Sequence, residues 1–179
     1  MMKFTKNLLF IIPFRFGLIG GLIGSLAIMV LFYLGRHPFL IPVIFDFRIV
    51  IYAMFIFITL KVLRDNYLNG SLLFWQGMTG SYVFLVTAAL TGALSTFCLA
   101  IAQNGFLTGY IGAKQQQMTD FKKEFIDELG AAMYQQQLSK LADTTAFDLA
   151  IDYFLKSLVI GLFLTIIISV ILRKQKQTQ

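Results

Sequence analysis

The sequence predicts an all-α polytopic membrane protein, a four-transmembrane-helix bundle with an amphipathic exoplasmic helix between the third and fourth spans. Three observations predict it. Hydrophobic residues make up 58% of the 179-residue chain and charged ones only 13%, about half the charged share usual in soluble domains. The charges sit in short clusters between long uncharged runs, a pattern for which lipid, not water, is the fitting solvent. The basic residues behind the formal charge of +6 flank apolar runs and form no stripe with interleaved aromatics. They read as topology signals and lipid-phosphate contacts, with no nucleic-acid partner. The whole chain is expected to be a single membrane domain.

The first span covers about residues 16–34, uncharged and long enough to cross the hydrocarbon core at about 1.5 Å per residue. Lys3, Lys6 and Arg15 precede it. The apolar run exceeds that of a signal peptide, and no cleavage pattern ends it before Gly35-Arg36-His37-Pro38, so it is expected to be retained. The stretch Leu8 to Phe14 is too short to cross and is interrupted by Pro13. It is expected to lie in the interface before the chain turns into the membrane.

The second span, about 42–60, opens after Pro38 and Pro42 and closes at Lys61-Val62-Leu63-Arg64-Asp65-Asn66. Asp46 and Arg48 lie near its start. Charges at the bilayer centre are costly, so these two either sit at the headgroups or pair inside the mouth of a bundle. The third span, about 74–102, follows the turn Asn69-Gly70-Ser71 and is longer than the bilayer requires, so a tilt or a protruding end must absorb the excess.

Residues of about 103–152 form the exoplasmic helical segment. Phe121, Phe125, Leu129 and Met133 recur at four-residue steps with charges between them, the pattern of an amphipathic helix that Thr119 or Asp120 is placed to cap. Its apolar stripe packs on the ends of the spans, or serves as a docking face or membrane-surface contact. The final helix begins at Thr145, whose hydroxyl caps it with Asp148 in a capping-box variant. It runs unbroken into the fourth span, about 153–172, and ends at Arg173-Lys174-Gln175-Lys176.

Charge assigns the orientation. With both termini and the loop between spans two and three on one side, that side carries eight basic residues (Lys3, Lys6, Arg15, Lys61, Arg64, Arg173, Lys174, Lys176) against Asp65 alone. The opposite side carries seven basic against eight acidic residues. Positive flanks stay in the cytoplasm, so the N and C termini are expected to be cytoplasmic and the polar segment exoplasmic.

Helices in lipid associate by close packing and hydrogen bonding, and small residues permit both. Gly17, Gly21 and Ser25 line one ridge of the first span. Ser157, Gly161, Thr165 and Ser169 form a small, hydroxylated stripe on the last, and the third offers Thr87, Thr91 and Ser95 beside Ala88 and Gly92. Each stripe serves internal packing or a contact with a second copy or another membrane protein.

No constellation for catalysis stands out, and neither an enzyme nor a cofactor or metal is expected. His37, the only histidine, occupies a loop at the membrane edge, and Cys98, the only cysteine, falls within an apolar run. Glycines 17, 20, 21 and 24 mimic a dinucleotide-binding string but have no strand before them. Asp152 and Lys156, one turn apart on the last helix, form either an interfacial pair with a snorkelling lysine or a contact for an anionic headgroup or partner loop.

The most distinctive stretch is the cytoplasmic loop from Lys61 to Gly77. Arg64 and Lys61 are placed to hold lipid phosphates, Asn69-Gly70 makes the turn, and Phe74 and Trp75 anchor at the interface. Arg64-Asp65, a short spacer, Asn69-Gly70, and then Phe74 with Gly77 and Gly80 resemble the central loop of a family of uncharacterised four-span membrane proteins common in Bacteroidetes, a domain of unknown function. The resemblance implies a bacterial inner-membrane location, four spans and, through an association with genes for membrane glycosyltransferases, a possible partner of that class. The expected role is a non-enzymatic membrane subunit or scaffold that binds a membrane-protein partner or forms a homo-oligomer. The alternative is a small oligomeric transporter or lipid-handling protein with the Gln76, Thr79, Thr87, Thr91 and Ser95 face lining a path.

Overall fold

A computed structural model describes residues 2–42 and 45–174, with side chains described from residue 7 onward. Of the basic residues behind the orientation, Lys176 and the side chains of Lys3 and Lys6 lie outside the described residues, as does part of the expected opening of the second span at residues 43 and 44. The described chain is all helical, with seven α-helices: α1 (Met2–Tyr33), α2 (Phe47–Val62), α3 (Phe74–Ala102), α4 (Asn104–Asp120), α5 (Lys122–Leu129), α6 (Ala131–Ala142) and α7 (Ala146–Leu172). Three stretches, Asn7–Tyr33 within α1, α3 and α7, are long and apolar enough to cross a membrane. Most of their outward side chains are apolar, among them Leu22, Leu26, Leu94, Phe163 and Ile171. Such surfaces mark a membrane protein.

Three helices turn direction around α3. Contacts of Gly17 with Thr87 and of Gly21 with Thr91 set α1 parallel to α3, while Gly77 with Ser169, Gly161 with Leu85, and Gly92 with Tyr153 set α7 antiparallel to it. α2 runs with α7, fastened at Arg48 to Tyr153 and Ser157, and Tyr52 and Phe55 meet Phe84 of α3. One end of the bundle therefore gathers the start of α1, the α2–α3 turn and the end of α7. The other gathers the end of α1, the start of α2 and the α4–α6 segment.

Close approach is what the small residues allow. A Cβ on Gly17 would lie 2.7 Å from Cβ of Thr87 and 2.8 Å from the Phe84 carbonyl oxygen, and one on Gly21 would meet Thr91 and the Ala88 carbonyl at the same distances. These are backbone contacts, so a methyl at either glycine would push α1 off α3. Ser157, Thr165 and Ser169 are fully buried, and Ser25 is half-buried with its hydroxyl bonded to the Gly21 carbonyl at 2.8 Å.

Five expectations are corrected. Leu8–Phe14 is not a separate interfacial piece: α1 is continuous through Pro13, because Leu9 and Ile12 are buried in the core and the proline ring lies against Gly80 of α3. Packing of this turn outweighs the backbone hydrogen bond that proline removes. The second helix starts at Phe47, not near Pro42, because Asp46 caps it, accepting from Arg48 N–H at 2.9 Å. The preceding chain makes a 3-10 turn over Pro38–Leu40. Nor does α2 close at Leu60. It runs to Val62 and passes into a π-helical turn, Leu63–Tyr67, with Leu60 and Leu63 both buried.

The polar segment is three helices, not one. Phe121 separates α4 from α5, and Gly130 at φ +83° separates α5 from α6. Thr119 and Asp120 end α4 instead of capping a helix, and the Thr119 hydroxyl turns back to the Gln115 carbonyl at 2.9 Å. The stripe Phe121, Phe125, Leu129 and Met133 is thereby divided, with Phe121, Leu129 and Met133 exposed. The residues buried here are Phe106, Met118 and Tyr134.

Local signals elsewhere agree with the sequence. Thr145 and Asp148 form a reciprocal capping box at the start of α7. Asn69 at φ +52° and Gly70 at φ +76° make the tight turn, closed by Ser71 N–H to the Leu68 carbonyl at 3.1 Å. α1 ends on Gly35 at φ +77°, with Arg36 N–H on the Leu31 carbonyl and Gly35 N–H on that of Phe32, the Schellman arrangement.

Candidate functional site

The densest polar cluster forms where α2 begins beside the start of α7. Asp46 and Arg48 are both buried. Because Asp46 caps α2, its carboxylate sits two residues before Arg48, within reach of that side chain. Arg48 Nε donates to both carboxylate oxygens at 2.8 and 2.9 Å, and a second guanidinium nitrogen donates to the same group. The third nitrogen crosses to α7, donating to the Tyr153 carbonyl at 3.1 Å and the Ser157 hydroxyl at 3.0 Å. The guanidinium also lies 4.6 Å from the Tyr153 ring centroid, a cation–π contact. Of the two alternatives for these charges, the structure has the pair inside the bundle mouth. Engaged on every nitrogen, Arg48 acts as a staple between α2 and α7.

Tyr153 anchors this corner. Its ring fills the notch left by Gly92, where a Cβ would lie 2.2 Å from the ring, and its hydroxyl points toward Gly24 of α1. Among the described residues, the buried Tyr153 and Tyr52 hydroxyls have no hydrogen-bond partner. A cavity of about 10 Å³, lined by Phe39, Asp46, Arg48, Tyr153 and Lys156 among others, opens at this corner and is large enough for about one water molecule.

α4 is clasped onto the same corner by aromatic rings. Phe106 is fully buried, its ring 5.1 Å from Phe32 and 4.8 Å from His37, and His37 Nε2 donates to its carbonyl oxygen at 3.0 Å. That bond fixes the proton on Nε2 and leaves Nδ1 buried and unpartnered. Burial lowers the His37 pKa, and its bond to the Phe106 carbonyl offsets part of that. One turn farther along α4, the Tyr110 ring lies tilted against His37 at 5.4 Å and edge-on to Phe39 at 6.2 Å.

Asp152 and Lys156 flank the cluster. Lys156 Nζ donates to Asp152 at 2.6 Å and lies 5.9 Å from the Phe39 ring, so the pair belongs to the same corner as Arg48.

The other sequence-derived residues sit at the opposite end. Arg64 donates to Asp65 through Nε at 2.7 Å and a terminal nitrogen at 3.3 Å. Arg64, with help from Lys61 and Lys174, holds the exposed Asp65 carboxyl below its usual range. Lys174 and Leu72 exchange two backbone hydrogen bonds of 2.8 and 2.9 Å, fastening the end of α7 to the Asn69-Gly70 turn. Phe74 and Trp75 project outward and are exposed. The structure thus divides the candidate contact residues into two ends, Lys61 to Trp75 at one and Asp152 with Lys156 at the other.

Sequence reasoning missed Tyr52, Tyr153, Phe106, Tyr110 and Lys114. The available signals were the Asp46-x-Arg48 spacing inside an apolar run, and Phe106, Tyr110 and Lys114 recurring at four-residue steps. Among the described residues no three His, Cys, Asp or Glu side chains stand close enough to share a metal ion.

Comparison with curated proteins and with solved structures returns no match. Residues 15–174 match the model of the family described as Protein of unknown function (DUF4199), and the chain belongs to that family.

Proposed function

We propose that the protein is a four-span scaffold subunit of a bacterial inner membrane, with cytoplasmic termini, that binds a membrane-protein partner through its exoplasmic α4–α6 segment. The observation that carries this reading is the exposure of Phe121, Leu129 and Met133 on a segment that α4 clasps to the bundle. In lipid, exposed apolar side chains cost nothing. On a charged segment in water they are what a partner would cover. α2 supplies the fourth span in this reading: its 16 residues and the π-helical turn after them extend the crossing, and the Arg48 staple holds its outer end.

Photocrosslinking from positions 121, 129 and 133 in the native membrane, followed by mild-detergent purification and mass spectrometry, tests the reading. One recurrent crosslinked membrane protein is expected. Recovery of the chain alone in several detergents, with no crosslink, would sink the proposal.

Lipid handling is the second reading. A lateral groove of about 590 Å³ between α1 and α3, lined by Leu22, Leu26, Met29, Leu94 and Leu99 among others, favours it, and the buried Thr96 hydroxyl on its wall has no partner. A path along Thr87 and Thr91 has less support, because both hydroxyls bond to their own helix at 2.7 and 2.9 Å and both side chains rest on the glycines of α1. Scrambling of labelled lipid in proteoliposomes distinguishes the second reading from the first.

A further inference from the structure

The two ends of the bundle differ in charge. Of the chain's nine acidic residues, Asp65 alone belongs to the end formed by the start of α1, the α2–α3 turn and the end of α7. The others, Asp46 and those from Asp120 to Asp152, belong to the end that carries α4–α6. Beside Asp65 the described residues include Arg15, Lys61, Arg64, Arg173 and Lys174. Arg64 pairs with Asp65. The other four cations are exposed and have no ion-pair partner among the described residues.

Packing draws these cations together. Pro13 of α1 and Leu60 and Leu63 of α2 converge on Gly80 of α3, each within 3.6 Å of where its Cβ would stand. Arg15, Lys61 and Arg64 therefore leave their helices within two residues of that level. The Arg64 carbonyl accepts from Gly70 N–H at 2.9 Å, and two residues farther on Leu72 exchanges its pair of backbone bonds with Lys174. The short segment from Gly70 to Leu72 is thus bonded to Arg64 on one side and to Lys174 on the other. The lowered pKa of Asp65, to which Arg64 first and then Lys61 and Lys174 contribute, is what cations gathered around one carboxylate produce.

Tyr67, Phe74 and Trp75 are exposed around the same turn. Tyrosine and tryptophan rings settle at the headgroup level of a membrane, and long basic side chains lay their stems on apolar surface while the charge reaches out to that level. The cations of this end therefore stand where the lipid phosphates are. We propose that this end of the bundle is a docking surface for anionic phospholipid headgroups, held by Lys61, Arg64, Arg173 and Lys174 around the Asn69-Gly70 turn. Charge complementarity selects the occupant: clusters of about four to eight Lys and Arg beside a membrane helix gather anionic lipids, and a zwitterionic headgroup brings a cation of its own against them. The surface is separate from the α4–α6 segment and works whether or not that segment has a partner.

Trp75 is the chain's single tryptophan and reports on this site alone. The test places the full-length chain in vesicles that mix phosphatidylglycerol with phosphatidylcholine, with one lipid or the other carrying a brominated acyl chain that quenches Trp75 fluorescence. Both leaflets hold the same mixture, so the result is independent of which way the chain inserts. Brominated phosphatidylglycerol is expected to quench more strongly than brominated phosphatidylcholine at the same mole fraction. Lys61→Gln and Lys174→Gln should each lower that preference about fivefold, the weight of one basic residue near an anionic surface, and high salt should lower it too. Both lysine side chains are exposed and make no hydrogen bond or ion pair among the described residues, so either variant keeps the fold. Asp65→Asn should raise the preference, and Lys140→Gln, on α6 at the far end, should leave it unchanged. Equal quenching by the two lipids overturns the proposal, as does a preference that survives in the Lys61→Gln, Lys174→Gln double variant or that falls in Asp65→Asn.

Discussion

The α1–α3–α7 bundle and the α4–α6 segment are built from the same element by opposite means. In the bundle, glycine, serine and threonine line the closest helix contacts beside buried residues such as Phe84 and Leu85, and many other large apolar side chains face outward; Gly17 and Gly21 touch the backbone of α3 while Leu22 and Leu26 are exposed. In the segment the buried positions are large, Phe106, Met118 and Tyr134, and α5 buries nothing. The difference follows from solvent. Lipid offers no hydrophobic gain for burying leucine, so backbone proximity and buried hydrogen bonds hold the bundle together. Water rewards burial of any large apolar side chain, so the segment is stable only where such side chains find one another.

The strongest way to break the bundle is through the buried Asp46–Arg48 ion pair. Asp46→Ala removes both the cap of α2 and the counter-charge of Arg48, and about 3–5 kcal/mol of stability should be lost, read by denaturant titration in mixed micelles. Adding Arg48→Met to that variant should recover most of the loss. If the double variant is no better than the single one, the pair is not the fastening between α2 and α7.

Packing comes next. Gly17→Ala and Gly21→Ala each place a methyl within 2.8 Å of a carbonyl oxygen of α3, and each should cost about 1–3 kcal/mol. Unchanged melting temperatures would show that α1 can shift to make room. Thr145→Ala, at the hinge between the two regions, should cost about 1 kcal/mol, seen as faster amide exchange in the first turn of α7.

The segment should respond more weakly and to different variables. His37 is neutral in the fold, and its pKa is lowered by burial, so folding disfavours its protonation. The clasp is therefore fully stabilised at neutral pH and loses that contribution as pH falls through the ordinary histidine value of 6.5. Amide exchange at Phe106–Tyr110 should rise on acidification, and His37→Gln should abolish the dependence. Phe121→Ser should stay within about 0.5 kcal/mol of the parent, since the ring is 53% exposed. A larger loss in the isolated protein would mean that this face is already covered.

The legible parts of the fold follow the same division. Long apolar runs, the Thr145–Asp148 cap and the Asn69-Gly70 turn depend on a few adjacent residues, so sequence alone locates them. The continuity of α1 through Pro13 was not legible, because it depends on Leu9 and Ile12 meeting the core. The subdivision of α4–α6 was missed for a related reason: periodicity finds a face and is blind to a break at Phe121 that leaves the period intact. At the candidate site, Asp152 and Lys156 are visible as neighbours on one helix, whereas Arg48 meets Tyr153, and His37 meets Phe106, only because separate elements converge.

The paired hydrogen bonds between Leu72 and Lys174 have a mechanical meaning. α7 spans 27 residues, a rod of about 40 Å at 1.5 Å per residue. It is held against α3 near one tip by this bridge and near the other by Tyr153 seated over Gly92. A rod pinned at both tips cannot slide along its neighbour like a piston, and any motion of the α4–α6 segment reaches the opposite end of the bundle as a tilt of α3 and α7 together.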